Sequence, residues 1–146
     1  MSWTERKIKW IMLVSGLLTF TMVYAALAPS AALRSSFGES LDGPLADIVV
    51  RNWGALIALI GAMLVYGAFR PAVRALALTV AGLSKIIFIT LILTSGRQFL
   101  DEQIAVSVIV DSVMVILFAT FLLTTAPQRS AAKPLVAAEA AELEDR

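Results

Sequence analysis

The chain has 146 residues, of which 59% are hydrophobic and 16% are charged, and its formal net charge is +1. Soluble globular domains have about 45–50% apolar residues, so this composition indicates a protein surrounded by lipid and speaks against a nucleic-acid-binding surface. The sequence contains neither cysteine nor histidine, which excludes disulfides, thiolate redox chemistry and histidine-ligated haem. We therefore expect no metal site and no cofactor.

Four long apolar segments follow one another along the chain. Each is close to the roughly 20 residues that an α-helix needs to cross a bilayer, and segments this continuous do not alternate as barrel strands would. Apart from Arg74 at its start, the third segment has Lys85 as its only charged residue, and Asp111 is the only one of the fourth. The sequence predicts an all-α integral membrane four-helix bundle within residues 1–126, with helices at about 8–28, 45–69, 72–95 and 104–126.

The first segment could also be a cleaved signal peptide, because Ala26, Leu27 and Ala28 resemble a small-residue cleavage site. However, Pro29 would follow the cut directly, and the apolar run is longer than usual for a signal peptide. We expect a helix that is retained in the protein.

Basic residues in the flanks predict the orientation of the helices, since cytoplasmic loops are enriched in Lys and Arg. Seven basic residues fall on one side of the predicted membrane, and because this side also contains both ends of the chain, we expect both termini to lie in the cytoplasm. These residues are Arg6, Lys7, Lys9, Arg70, Arg74, Arg129 and Lys133. The segment from Pro29 to Pro44 is predicted to be a longer loop on the opposite side. Residues 127–146 are rich in Ala and Glu and are expected to form a cytoplasmic tail that is disordered or weakly helical.

Small residues recur on one face of several helices, where they let helix backbones approach closely in lipid. We expect them to pack the bundle internally, although the same faces could instead contact a second copy or another subunit. The predicted packing residues are Gly54, Ala58, Gly61 and Ala62 in the second helix and Ala77, Ala81 and Gly82 in the third, with Ser15, Gly16 and Thr19 in the first.

Lys85 and Asp111 raise the question of how charges are tolerated inside a membrane. A lone charge at mid-membrane costs about 2.5–3.5 kcal/mol on insertion scales. Lys85 lies about 16–18 Å from either end of its helix, and Asp111 lies about 10 Å from the end of the next. Because a short link joins these two helices, we expect the two side chains to form an ion pair.

Arg51 is predicted to lie about 10 Å inside the second helix, level with Asp111. A polar cluster of Arg51, Asn52, Lys85, Asp111 and Ser107 is therefore expected. Three interpretations remain open. The cluster could fix helix register, it could hold an anion, a lipid headgroup or a small polar ligand, or it could carry protons along a transport path. Two cations beside one carboxylate would favour an anion.

Two families of small four-helix membrane proteins can be compared with this pattern. Small multidrug exporters carry an essential carboxylate in their first helix, where this chain has none between residues 10 and 28. The layout instead resembles the DoxX-like group over most of residues 8–126, with a long first loop, an RNWG entry to the second helix at Arg51–Gly54 and a tight hairpin at Arg70–Arg74. Some members are linked to quinone-dependent respiratory complexes, so the resemblance implies an accessory role and transfers no catalytic residues.

These observations predict a multi-pass protein of the bacterial inner membrane with no catalytic residues. The leading expectation is a non-enzymatic accessory or oligomer-forming subunit, whose partners are the lipid bilayer and either a second copy or a membrane complex. The alternative is a small transporter or channel-like protein that uses the Lys85, Asp111 and Arg51 cluster for an anion, a polar ligand or protons.

Overall fold

The structure is a computed structural model that describes the backbone of residues 3–144 and the side chains of residues 6–125. It contains no strand among those residues and consists of six α-helices and one short 3₁₀ helix, Arg97–Phe99. The α-helices are α1 (Trp3–Phe20), α2 (Val23–Leu27), α3 (Pro29–Phe37), α4 (Pro44–Phe69), α5 (Pro71–Ser95) and α6 (Ile104–Glu144).

Four segments are long and apolar enough to cross a membrane, which confirms the prediction of an all-helical protein with four spans. They are Arg6–Leu27, Pro44–Phe69, Pro71–Ser95 and Ile104–Thr125. Large apolar side chains such as Trp10, Leu59 and Ile109 are more than 60% exposed, as expected for surfaces that face lipid tails. The orientation of the termini stays a prediction.

The first span is broken at Thr21 and Met22, where the sequence predicts one continuous helix. The Thr21 hydroxyl donates a hydrogen bond to the Leu18 carbonyl at 2.6 Å, and the Thr21 amide also reaches that oxygen at 3.3 Å. The Met22 amide donates to Thr19 O at 3.2 Å, three residues back rather than four. Hydroxyl side chains that compete for helix carbonyls bend helices in this way, so α1 and α2 form one kinked span.

The spans form a ring that is incomplete between its first and last members. The α1–α2 span packs along α4, α4 packs against α5, and α5 packs against α6, whereas the described parts of α1 and α6 hardly approach each other. We call the end with the tight turn at Arg70 the hairpin end, and the end with α3 and the 3₁₀ helix the α3 end. A core that includes Met12, Leu64, Leu78 and Phe118 joins all four spans toward the hairpin end.

Glycines bring α1 and α4 into backbone contact. A Cβ atom placed on Gly61 would lie 2.5 Å from Phe20 N and 2.7 Å from Gly16 O, and one on Gly54 would lie 2.6 Å from Ala26 N. Gly82 differs, because the nearest atom to its Cβ position is Phe118 Cδ2 at 3.9 Å. Of the residues predicted from the sequence for packing, Ala62 is exposed and the other nine are buried. The buried ones are Ser15, Gly16, Thr19, Gly54, Ala58, Gly61, Ala77, Ala81 and Gly82.

The connection between the first two spans is more ordered than the predicted loop. Residues Pro29–Phe37 form α3, which begins with proline and ends at Gly38 in a left-handed conformation with φ of 73°. The Phe37 ring packs edge-to-face on Phe99 at 5.3 Å and lies 6.4 Å from the ring of Trp53. These rings join α3, the 3₁₀ helix and α4 at the α3 end.

The last helix continues well beyond its membrane-spanning part. The α6 backbone is helical through Glu144, whereas residues 127–146 were predicted to be disordered or weakly helical. At 1.5 Å per residue, the part after Thr125 is about 28 Å long. The part of that prediction that concerns residues 145 and 146 lies outside the described residues, and the division into a domain and a tail stays a prediction.

Candidate functional site

Lys85 of α5 and Asp111 of α6 contact each other inside the bundle. The Lys85 ammonium group donates a hydrogen bond to Asp111 Oδ1, so the two predicted partners form a salt bridge. The side chain of Lys85 is 8% exposed and that of Asp111 is 18% exposed. Two unlike charges that neutralise each other in this way avoid most of the cost of placing either one alone in lipid.

The salt bridge borders a cavity of about 360 Å³ that is lined by residues of all four spans. This volume lies within the range of about 300–1,000 Å³ that is typical of small-molecule sites. Apolar side chains such as Met22, Ile57 and Phe88 form part of the lining. The polar lining residues are Thr19, Thr21, Ser36, Ser84, Lys85, Gln103, Ser107 and Asp111.

Thr19 contributes a buried hydroxyl group to the pocket. Its side chain lines the pocket and the residue is only 7% exposed, yet its Oγ1 atom makes no hydrogen bond to any part of the chain that the structure describes. Other span threonines, such as Thr79 and Thr90, donate to the carbonyl four residues earlier. Because an unpaired buried hydroxyl is costly, this atom marks a position where a bound group would gain a hydrogen bond.

The pocket extends from the salt bridge toward the α3 end. Ser107 lies one helical turn before Asp111 and lines the same pocket, as the sequence predicts for a shared face. Ser36 of α3 and Gln103 of the link before α6 line its far part. Ser107 is exposed, so the polar part of the pocket reaches the surface of the chain.

Arg51 and Asn52 are not brought to this site, which differs from the predicted cluster. The Arg51 guanidinium forms a salt bridge with Asp47 at 2.7 Å and donates hydrogen bonds to Ala26 O at 2.8 Å and Leu27 O at 3.3 Å. The break in the first span explains this placement, because it leaves the last carbonyls of the short helix α2 beside α4. Arg51 thus caps the C-terminal end of α2 by binding its last carbonyl groups. Asn52 does not line the pocket.

The described lining residues therefore supply two ionisable groups and a set of neutral hydroxyl and amide groups. Within the described side chains there is no group of three Asp or Glu residues that could hold a metal ion. The sequence predicted Thr19 only as a packing residue and did not predict Ser84 or Gln103. Gln103 lies four residues before Ser107, and this spacing is a signal that could have found it. Ser84 is adjacent to Lys85 and therefore points to a different face of an ideal helix, so it has no such signal.

The comparisons with known proteins give a family and no activity. No curated protein and no solved structure matches the chain. The family described as "Domain of unknown function (DUF4345)" matches residues 8–94, which is more than half of the chain and includes Lys85 but not Asp111. The chain therefore belongs to the DUF4345 family.

Proposed function

We propose that this chain is a multi-pass membrane protein that binds a small molecule in the pocket beside Lys85 and Asp111. The observation that carries this proposal is that the salt bridge does not close against other side chains but borders a cavity of about 360 Å³. A pair that served only to hold α5 and α6 together would need no such space. The pocket thus favours the transporter or channel-like alternative over a purely structural ion pair.

The lining also has the composition of a binding site. Small-molecule pockets are mostly apolar, with a few polar groups that converge on one part of the ligand. Here Lys85, Asp111 and the unpartnered Thr19 hydroxyl converge at one part, while apolar side chains of α4, α5 and α6 form much of the remainder. This arrangement supports binding without implying a chemical reaction.

Cysteine labelling tests whether the pocket is open to water. The sequence has no cysteine, so Ser107→Cys introduces a single thiol. In reconstituted vesicles, we expect this thiol to react with a membrane-impermeant methanethiosulfonate reagent added on the α3 side. Ile109→Cys is the matched control, because Ile109 is 65% exposed on the same helix but does not line the pocket.

The expected result is rapid labelling of Ser107→Cys and labelling of Ile109→Cys that is slower by about 100-fold, since a thiol in lipid does not ionise to the reactive thiolate. Equal and slow labelling of both variants would mean that water does not reach the pocket, and the proposal would then be wrong.

A second function, an accessory subunit of a membrane complex, is favoured by a different observation. The α6 helix has 41 residues, about twice the roughly 20 that membrane crossing requires. A helix of that length offers a surface for a second copy or another subunit. Co-purification that depends on residues 127–146 would support this function.

We also propose that both termini lie in the cytoplasm and that the protein resides in a bacterial inner membrane. The support is the excess of Lys and Arg at the hairpin end, including Lys9, Arg70 and Arg74. A distant relationship to the DoxX-like group is proposed on layout alone, since the matched family is a different one.

A further inference from the structure

The charge of the pocket restricts what it can bind. Among the described side chains, 6–125, Lys85 and Asp111 are the only ionisable ones that line it, and together they carry no net charge. Arg51, which would have supplied a surplus positive charge, is engaged by Asp47 and by the carbonyls of α2. An ionic ligand would therefore bring an unbalanced charge into a largely apolar site, at a cost of several kcal/mol.

The hydrogen-bonding groups of the pocket remain partly unused. An ammonium group has three donors, and Lys85 uses one of them on Asp111 Oδ1. The structure gives Asp111 Oδ2 no hydrogen bond within the described residues, and Thr19 Oγ1 also has none. A ligand group that both accepts and donates hydrogen bonds would satisfy the Lys85 donors and the Asp111 acceptor together.

The position of the pocket indicates how such a ligand would arrive. The ring of helices is incomplete between α1 and α6, and the pocket lies between residues of these two helices. Leu18 on α1 and Val106 on α6 line the pocket while being 52% and 60% exposed, so they form its rim. Leu18 lies about 14 Å along the helix from the nearer end of its span, so its side of the pocket borders the lipid tails, whereas Val106 lies about 3 Å from the end of its span, near the bilayer surface.

We propose that the ligand is a neutral amphiphile that enters from the bilayer between α1 and α6. Its apolar body lies among the apolar lining residues, and its uncharged head, which carries both a donor and an acceptor, binds Lys85 and Asp111. This inference rests on the proposed binding function and specifies the chemistry of the ligand.

Protection of Ser107→Cys from the impermeant reagent tests this inference with defined probes. The probes have alkyl chains of nine or ten carbons and differ mainly in the head: decanamide is neutral with donor and acceptor, decanesulfonate is an anion, and decyltrimethylammonium is a cation without donors. Gln98→Cys, which is exposed and lies outside the pocket, corrects each labelling rate for the charge that the probe adds to the membrane.

We expect saturating decanamide to slow the labelling of Ser107→Cys at least tenfold relative to Gln98→Cys, and the two ionic probes to slow it less than twofold. The protection should disappear when Lys85→Met and Asp111→Leu are combined with Ser107→Cys. Protection by decanesulfonate that equals or exceeds the protection by decanamide would show that the pocket binds an anion and not a neutral ligand. The inference would also be overturned if decanamide protected the triple variant as well as it protects Ser107→Cys, or if no probe protected Ser107→Cys although its thiol still reacts. If Ser107→Cys did not react at all, the binding function itself would be refuted.

Discussion

Lys85→Met and Asp111→Leu should each destabilise the protein by about 3 kcal/mol or more when they are introduced singly. Either change removes one member of a mostly buried ion pair and leaves the other as an uncompensated charge within a membrane span. The measurement is the free energy of unfolding in mixed micelles, with loss of helical circular dichroism as the signal. Lys9→Met is the matched control, because Lys9 lies over the Phe69 ring at the hairpin end, where we expect a loss of less than about 1 kcal/mol.

The double variant Lys85→Met with Asp111→Leu should recover most of the stability that each single variant loses. Replacing a whole buried ion pair by apolar residues is often neutral or stabilising, since neither charge is left behind. The proposed function adds that this well-folded variant no longer binds a ligand in the pocket. A double variant that is as unstable as the sum of the two single variants would show that the side chains do not interact.

Gly61→Ala should destabilise the protein by about 1–3 kcal/mol, as overpacking of a close contact does. The added Cβ would lie 2.5 Å from the Phe20 amide nitrogen and 2.7 Å from the Gly16 carbonyl oxygen. Both are backbone atoms of α1, so the clash cannot be relieved by a side-chain rotation and must separate the two helices. Because close packing rather than apolar burial drives helix association in lipid, this contact matters for the bundle. The same unfolding assay measures the change.

Gly82→Ala is the control for this substitution, since it makes the same chemical change in another buried part of a span. Its Cβ would meet only Phe118 Cδ2 at 3.9 Å, an ordinary van der Waals distance. We expect stability to be unchanged or raised by about 0.5–1 kcal/mol, because alanine favours the helix more than glycine does. Equal losses for the two variants would argue against the backbone contact between α1 and α4.

The four spans and the salt bridge could be predicted because membrane insertion imposes simple rules on sequence. Apolar segments of about 20 residues must be helices in lipid, and single opposite charges on two helices joined by a short link have a strong reason to meet. The pairing of Lys85 with Asp111 follows from that reasoning.

The pocket could not be predicted, because it depends on three-dimensional features with weak local signals. The break at Thr21 contains neither proline nor glycine, yet it leaves the α2 carbonyls that draw Arg51 away from Asp111. The incomplete ring between α1 and α6 arises from helix packing and is not encoded at any single position. The helix α3 did carry a signal that was missed, since Pro29 and Gly38 mark a helix start and end.

Solid-state NMR of the protein in lipid bilayers tests the central claim, the contact between Lys85 and Asp111, most directly. With lysine Nζ labelled with ¹⁵N and aspartate Cγ labelled with ¹³C, dipolar dephasing measures the distance between an ammonium and a carboxylate group. We predict a lysine–aspartate distance of about 3.5 Å, as a charged hydrogen bond requires, and its complete loss in Lys85→Met. No short distance in the parent protein, or one that persists in Lys85→Met, would contradict the account.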